Sequence, residues 1–264
     1  GQLFWFTEMV NYDHKVSLNG ELTNDIVIHE NIEDYDYDSM CDTSYIKSSG
    51  YHMWVPLGDK HYSTDDVYNG TFDGNGHSIS GIICPAIMPY AKKLNAPLKL
   101  PYSGFAAATD TAAVIKNLTI ENSYFYPGNR TNYSGTFAGI NKGLIQDCKV
   151  ENCQLQANSG GVCGYNRGSI DSVEVISTTI YDKYLGSFTQ NAGFAIYNFG
   201  TIKRSLFDGV VYSNYNAAGI VIENEGLIYG CRNNGAVYSN LDISGICLRN
   251  QEIGTIENCV NTSN

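Results

Sequence analysis

The chain has 264 residues, 43% of them hydrophobic, and a net charge of −11. That much apolar content supports a sizeable core and excludes global disorder, and the acidity excludes steering toward nucleic acid or anionic membrane surfaces. No run of about 18 apolar residues exists, which excludes insertion into a membrane as a helix.

Residues 2–11 carry Leu3, Phe4, Phe6, Met9 and Val10 at helical spacing, predicting a short amphipathic helix. The opening Gly1-Gln2-Leu3 shows no basic stretch followed by an apolar run, so no signal peptide is read there. Ser17 to Ile28 reads as an early strand pair, with Leu18, Leu22, Ile26 and Ile28 as its apolar positions. His29 to Gly70 is irregular and acidic and is expected to pack as loops around Trp54-Val55-Pro56-Leu57-Gly58. A second irregular insertion spans Pro85 to Ser103.

From Ser134 onward the sequence repeats itself. Asn141, Asn166, Asn198, Asn224 and Asn250 anchor five copies. Gly follows two residues later in the first four, and Glu252 stands there in the last, with Gly254 shifted by two. Ile145, Ile170, Ile202, Ile228 and the shifted Ile256 form one column. Ala138, Cys163, Ala195, Val221 and Cys247 form a second, and Cys148, Val173, Ser205, Cys231 and Cys259 a third. Two weaker copies are read upstream, anchored on Asn75 (with Phe72, Ile79 and Ile82 in the three columns) and on Thr111 (with Ala108, Ile115 and Leu118).

Successive anchors lie 25 to 36 residues apart. The apolar runs are short, alternate with polar residues and are rich in Ile, Val, Thr and Tyr, which favours strands over helices. Gly and Asn number 27 each, about one fifth of the chain, and both tolerate left-handed backbone at tight corners. Stacked coils of this kind make a solenoid in which like residues lie on like. The reading is an all-β, right-handed parallel β-helix with a short N-terminal capping helix. Residues 1–69 form the cap and irregular loops, and 70–264 one continuous solenoid. The Asn anchors are expected to form a structural ladder. The chain stops inside the seventh copy with no capping helix, which predicts further coils or another domain downstream.

Leu3…Val10-Asn11, Leu22-Thr23-Asn24-Asp25-Ile26, Trp54-Val55-Pro56-Leu57-Gly58 and Gly70-Thr71-Phe72-Asp73-Gly74-Asn75-Gly76-His77-Ser78-Ile79-Ser80-Gly81 together resemble the N-terminal part of GLUG-repeat proteins. The copies around Gly139-Ile140-Asn141-Lys142-Gly143 and Ala218-Gly219-Ile220…Asn224-Glu225-Gly226 are similar to the GLUG motif itself. The resemblance implies a secreted or cell-surface bacterial β-helix, of the kind found in adhesin-like proteins and in the non-catalytic region of zinc-dependent IgA-type peptidases. It implies no activity.

Chemistry-bearing residues are sparse. Of the eight cysteines, Cys148, Cys231 and Cys259 share one column and Cys163 and Cys247 another, at positions that hold Val, Ser or Ala in other copies, and Cys41 lies outside the repeats. Mostly free, buried thiols are therefore expected. A glycosidase needs two carboxylates facing one cleft. Of the candidates Asp73, Asp147, Glu151 and Glu174, Asp73 sits in the turn motif and is expected to bond backbone amides, and the other three have no partner recurring on one face in adjacent coils. The acidic run Glu33-Asp34-Tyr35-Asp36-Tyr37-Asp38 reads as a solvated loop rather than a calcium site. His14, His29, His52, His61 and His77 lack ligand or nucleophile spacing, and His77 reads as structural. No HExxH motif, phosphate loop or GxSxG elbow is present, so neither cofactor nor metal is implied. Tyrosine is the one surface signal. Gly209-Val210-Val211-Tyr212-Ser213-Asn214 and Gly235-Ala236-Val237-Tyr238-Ser239-Asn240 are near copies, which places Tyr212 over Tyr238, with Tyr181 and Tyr184 near the same part of the preceding coil. Stacked exposed aromatics of this kind either cover strand edges and stabilise the coils by stacking on each other, or suit the face of a sugar ligand. The functional expectation is a non-catalytic recognition or display module binding host glycan or glycoprotein. Its alternatives are an accessory domain of an IgA-type peptidase and a polysaccharide-degrading β-helix enzyme.

Overall fold

The structure is a computed structural model that describes residues 1–30, 52–58, 67–84, 87–88, 98–99, 102–126, 133–182 and 188–263. Short parallel strands stack coil upon coil into a β-solenoid, preceded by one helix, α1 (Gln2–Asn11). Three ladders form its walls. The first stacks eight strands, from Gly20–Glu21 through Leu144–Gln146 to Thr255–Glu257. A second begins at Ile26–Val27, and a third stacks six strands from Ala106–Ala108 to Cys247–Asn250.

In-register parallel pairing puts each repeat column where the sequence spacing places it. Ile115, Ile145, Ile170, Ile202, Ile228 and Ile256 pair in succession. Ala138, Cys163, Ala195, Val221 and Cys247 do so on the third ladder. The Asn column is a continuous hydrogen-bond chain, buried from Asn141 to Asn224 and ending on exposed Asn250. Asn141 Nδ2 donates to Asn166 Oδ1 at 2.9 Å, Asn166 to Asn198 at 2.8 Å, Asn198 to Asn224 at 2.7 Å and Asn224 to Asn250 at 2.7 Å. An amide suits this place because it donates and accepts at once, so each coil satisfies the next.

The two upstream copies are registered differently from the expectation. The Asn column ends on Thr109, whose Oγ1 donates to Asn141 Oδ1 at 2.9 Å, not on Thr111. Asp110-Thr111 are two extra corner residues, so Ala106 rather than Ala108 pairs with Ala138. Asn75 is no ladder member either. Phe72 pairs with Ile115 and so belongs to the Ile column, while Ile79 pairs with Ile120 on the next wall. Asn75 occupies a corner with φ 51°, and Asn117, Asp147, Ser172, Arg204 and Asn258 repeat that left-handed corner at φ 52°, 51°, 56°, 52° and 53°. Ladder Asn ends a short strand and corner Asn75 stands two residues past one, which is why spacing alone confuses them.

Helix α1 covers the N-terminal end. Leu3, Phe6 and Val10 are buried in the core, and Phe6 meets Phe72 edge to face at 5.6 Å between centroids. Asn11 Nδ2 donates to Pro56 O and its Oδ1 accepts from Gly58 N, both at 2.9 Å. These bonds tie the helix to the Trp54–Gly58 segment. That segment lies in the core, with Trp54 and Leu57 fully buried and Trp54 stacked on Phe105 at 5.2 Å; residues 31–51 and 59–66 around it lie outside the described residues.

Candidate functional site

The second wall carries the tyrosines. Along Leu206–Ser213 side chains alternate, with Phe207, Val211 and Ser213 buried and Asp208 and Tyr212 exposed, so the period-2 pleat itself aims Tyr212 outward. Tyr212 pairs with Tyr238 in register. Tyr181 follows Ile180, the partner of Val211, and so falls in the same row one coil earlier. Tyr184 lies outside the described residues.

The three tyrosines line one open groove of about 760 Å³, together with Asp182, Asn214 and Asn240. Gln154 and Thr179 line its other side. A polar row runs beside the aromatic one. Asn240 Nδ2 donates to Asn214 Oδ1 at 3.1 Å, Asn214 Nδ2 donates to Asp182 Oδ2 at 3.0 Å, and Thr189 Oγ1 also donates to Asp182. The repeated Tyr-Ser-Asn triplet explains the construction. Ser213 Oγ donates to Thr189 O at 2.8 Å and accepts from Tyr215 N at 3.3 Å. Ser239 Oγ donates to Tyr215 O at 2.7 Å and accepts from Leu241 N at 3.2 Å. These serine turns bend the chain just after each tyrosine. Buried Asn191 donates to Tyr212 O at 2.7 Å, fixing the backbone under the ring.

The rings of Tyr212 and Tyr238 lie face to face, 4.8 Å apart with an interplanar angle of 14°. Each ring therefore occupies one face of the other, and edges and hydroxyls remain available at the shared side. Tyrosine reading from sequence found this row. It missed Asp182 and the Asn214–Asn240 row, although each Val-Tyr-Ser-Asn copy ends on one of these asparagines and Asp182 follows Tyr181 directly.

The other candidates disperse. Asp73 accepts from Asn75 N and Asn117 Nδ2 and pairs with Lys116 Nζ at 3.0 Å. Burial raises its carboxyl pKa, but these partners outweigh that and hold it below the ordinary value. Glu151 pairs with Lys149 at 2.7 Å, Asp147 sits in a left-handed corner, and Glu174 is exposed beside Lys149 on the neighbouring strand. His77 Nδ1 lies 3.2 Å from Asp25 Oδ1, next to the turn that joins the first two walls. The acidic run 33–38, His61 and Cys41 lie outside the described residues. The seven described cysteines are free thiols. Burial pushes the Cys148 and Cys153 thiols up to about 12, which keeps them neutral and unreactive. Cys231 and Cys259 meet as neighbours in their column, and the thiol hydrogen bond between them lowers Cys259 and raises Cys231. Among the described residues, no group of three or more His, Cys, Asp or Glu is placed to hold a metal ion.

Two further surfaces stand out. Tyr165 and Tyr197 stack at 4.6 Å on the third wall, Tyr133 from a neighbouring strand packs edge-on against Tyr165, and Arg167 lies 5.1 Å from the Phe199 centroid. An apolar hollow of about 440 Å³ lies between α1 and the first strands, lined by Trp5, Phe6, Leu22, Ile26 and Phe72.

Fold and groove together define a parallel β-solenoid with an aromatic and amide-lined furrow across adjacent coils. Comparison of the chain with family models, curated proteins and solved structures finds no match.

Proposed function

We propose that this chain is a non-catalytic recognition module of a secreted or cell-surface bacterial protein, and that its ligand is a glycan or glycoprotein glycan. The observation that carries this reading is the convergence of Tyr181, Tyr212 and Tyr238 with Asp182, Asn214 and Asn240 on one groove. Carboxylate and amide side chains beside aromatic rings match a sugar, which offers hydroxyls around an apolar ring. The resemblance to GLUG repeats supports the extracellular setting. The non-catalytic part of the reading draws on the groove's carboxylates: among the described lining residues Asp182 is the only one, and it is already engaged by Thr189 and Asn214, whereas glycoside hydrolysis calls for two.

The test is binding of the purified chain to a broad immobilised-glycan array that includes mucins and immunoglobulin, with product analysis of every hit. Glycan binding without turnover, weakened at least tenfold by the double substitution Tyr212→Ala/Tyr238→Ala, is the expected result. A blank array, or bond cleavage of a bound glycan, overturns the proposal.

A further inference from the structure

The groove has a direction. Tyr181, Tyr212 and Tyr238 belong to successive coils, so their row runs along the solenoid axis. The row Asp182–Asn214–Asn240 runs beside it and is linked by its own hydrogen bonds. Along that axis the same chemistry recurs at the coil spacing, 4.8 Å between the Tyr212 and Tyr238 centroids, which is the ordinary separation of hydrogen-bonded strands. A compact ligand would use one such unit. A polymer whose monomers repeat at a similar interval would use all three.

Charge narrows the class. Among the described lining residues Asp182 alone is charged, and the chain as a whole carries −11. A polyanion such as a uronate or sulfated polysaccharide would be repelled on approach and would find no cation in the described groove. Ring geometry narrows the mode of contact. With Tyr212 and Tyr238 stacked at 14°, no sugar can enter between their faces. The groove presents ring edges, phenol oxygens and a polar row in which Asn214 is held between Asp182 and Asn240 and Asn240 stands at the end. These donors and acceptors suit the equatorial hydroxyls along the flank of a straight glycan.

We infer that the ligand is an uncharged, extended polysaccharide lying along the solenoid axis, held by the tyrosine edges and hydroxyls and by the polar row that ends on Asn240, with the facing sides of Tyr212 and Tyr238 closed to it. This rests on the glycan-recognition reading and adds the ligand's charge, orientation and mode of contact. The chemistry predicts stepwise affinity. Each added sugar reaches another coil's tyrosine and the polar side chain beside it, Asn240, Asn214 or Asp182, until the row of three is filled.

The experiment is calorimetric titration of the chain with di- to hexasaccharides of uncharged β-1,4-linked glucose and N-acetylglucosamine, and with oligogalacturonates of the same lengths. Affinity should rise several-fold per added residue in an uncharged series, then level off once the ligand spans the row. The uronate series should bind at least tenfold more weakly. Tyr238→Phe keeps the ring pair and removes one hydroxyl, and should weaken the longest bound ligand about fivefold while leaving the disaccharide less affected. Circular dichroism and thermal melting check that the variant keeps its fold. Equal affinity for the di- and hexasaccharide, tighter uronate binding, an unchanged Tyr238→Phe variant, or no binding by any series each overturns the inference. Glycan binding on the array combined with any of these results would leave the recognition reading standing and remove only the axial one.

Discussion

At the scale of single residues, the solenoid depends on side chains that satisfy their own copies. Asn198 is fully buried and sits mid-ladder, donating to Asn224 Oδ1 at 2.7 Å and accepting from Asn166 Nδ2 at 2.8 Å. Replacing it with Ala leaves a donor on one coil and an acceptor on the next without their amide partner. Each orphaned buried group costs about 1–3 kcal/mol. Asn198→Ala is therefore expected to lower unfolding stability by roughly 2–5 kcal/mol on that principle, measured by denaturant titration. A loss under about 0.5 kcal/mol, the size of an ordinary surface substitution, would show that the ladder is incidental. The same logic separates the two kinds of tyrosine. Tyr68 and Tyr124 are buried and serve the core, whereas Tyr212 and Tyr238 are about half exposed, at 47% and 51%. A buried ring needs no ligand to explain it, so the groove reading rests on the exposed row.

At the scale of elements, corners decide which residue types are allowed. Ser177 interrupts the strand Glu174–Tyr181 with φ 49°, and the pairing register shifts there between Ile176 and Thr179. Asn122 and Asn152 hold the same left-handed conformation at φ 47° and 49° in the two preceding coils. Left-handed backbone costs a side-chain-bearing residue about 1–2 kcal/mol, Asn and Gly least. Ser177→Val should thus destabilise the chain by at least about 1 kcal/mol, while Ser177→Gly should leave its melting temperature unchanged or raise it. A valine variant as stable as the parent would mean that this corner relaxes into ordinary strand geometry. The break also matters for the groove. By resetting the register at the corner, it brings Tyr181 into the row of Tyr212 rather than one residue out of phase.

At the scale of the whole molecule, stability is expected to be the sum of coil-on-coil interfaces, so damage at one end need not unfold the other. Phe6 couples α1 to the first coils through Phe72. Phe6→Ala removes a buried aromatic ring, a change that costs about 3–5 kcal/mol in protein cores. Hydrogen exchange should show lost protection in α1 and the strands Gly20–Glu21 and Ile26–Val27, with protection kept in Cys163–Asn166 and Ala195–Asn198. Uniform loss across the chain would replace the additive picture with a single cooperative unit.

How much of this was legible in the linear order follows from the same geometry. Parallel in-register stacking places like on like, so the Ile, Ala/Cys and Asn columns downstream of Ser134 could be read from spacing alone, and with them the parallel coil. The helix at 2–11 was equally plain from its apolar periodicity. The upstream copies were not, because the two corner residues Asp110-Thr111 shift the count and because corner Asn and ladder Asn share a local pattern. Which of the two roles Asn75 plays is decided by its backbone conformation and by the strand that Phe72 pairs with. The tyrosine row was announced by two near-identical hexapeptides. Its face-to-face stacking and its pairing with Asp182, Asn214 and Asn240 exist only once the coils are stacked, since they join residues 26 to 32 positions apart. The sequence by itself determined the repeating coil, because hydrogen-bonded stacking turns periodicity directly into neighbours. Only the tertiary structure decided the groove, because its shape depends on where each corner breaks the register and on which side chains the break brings to the same edge.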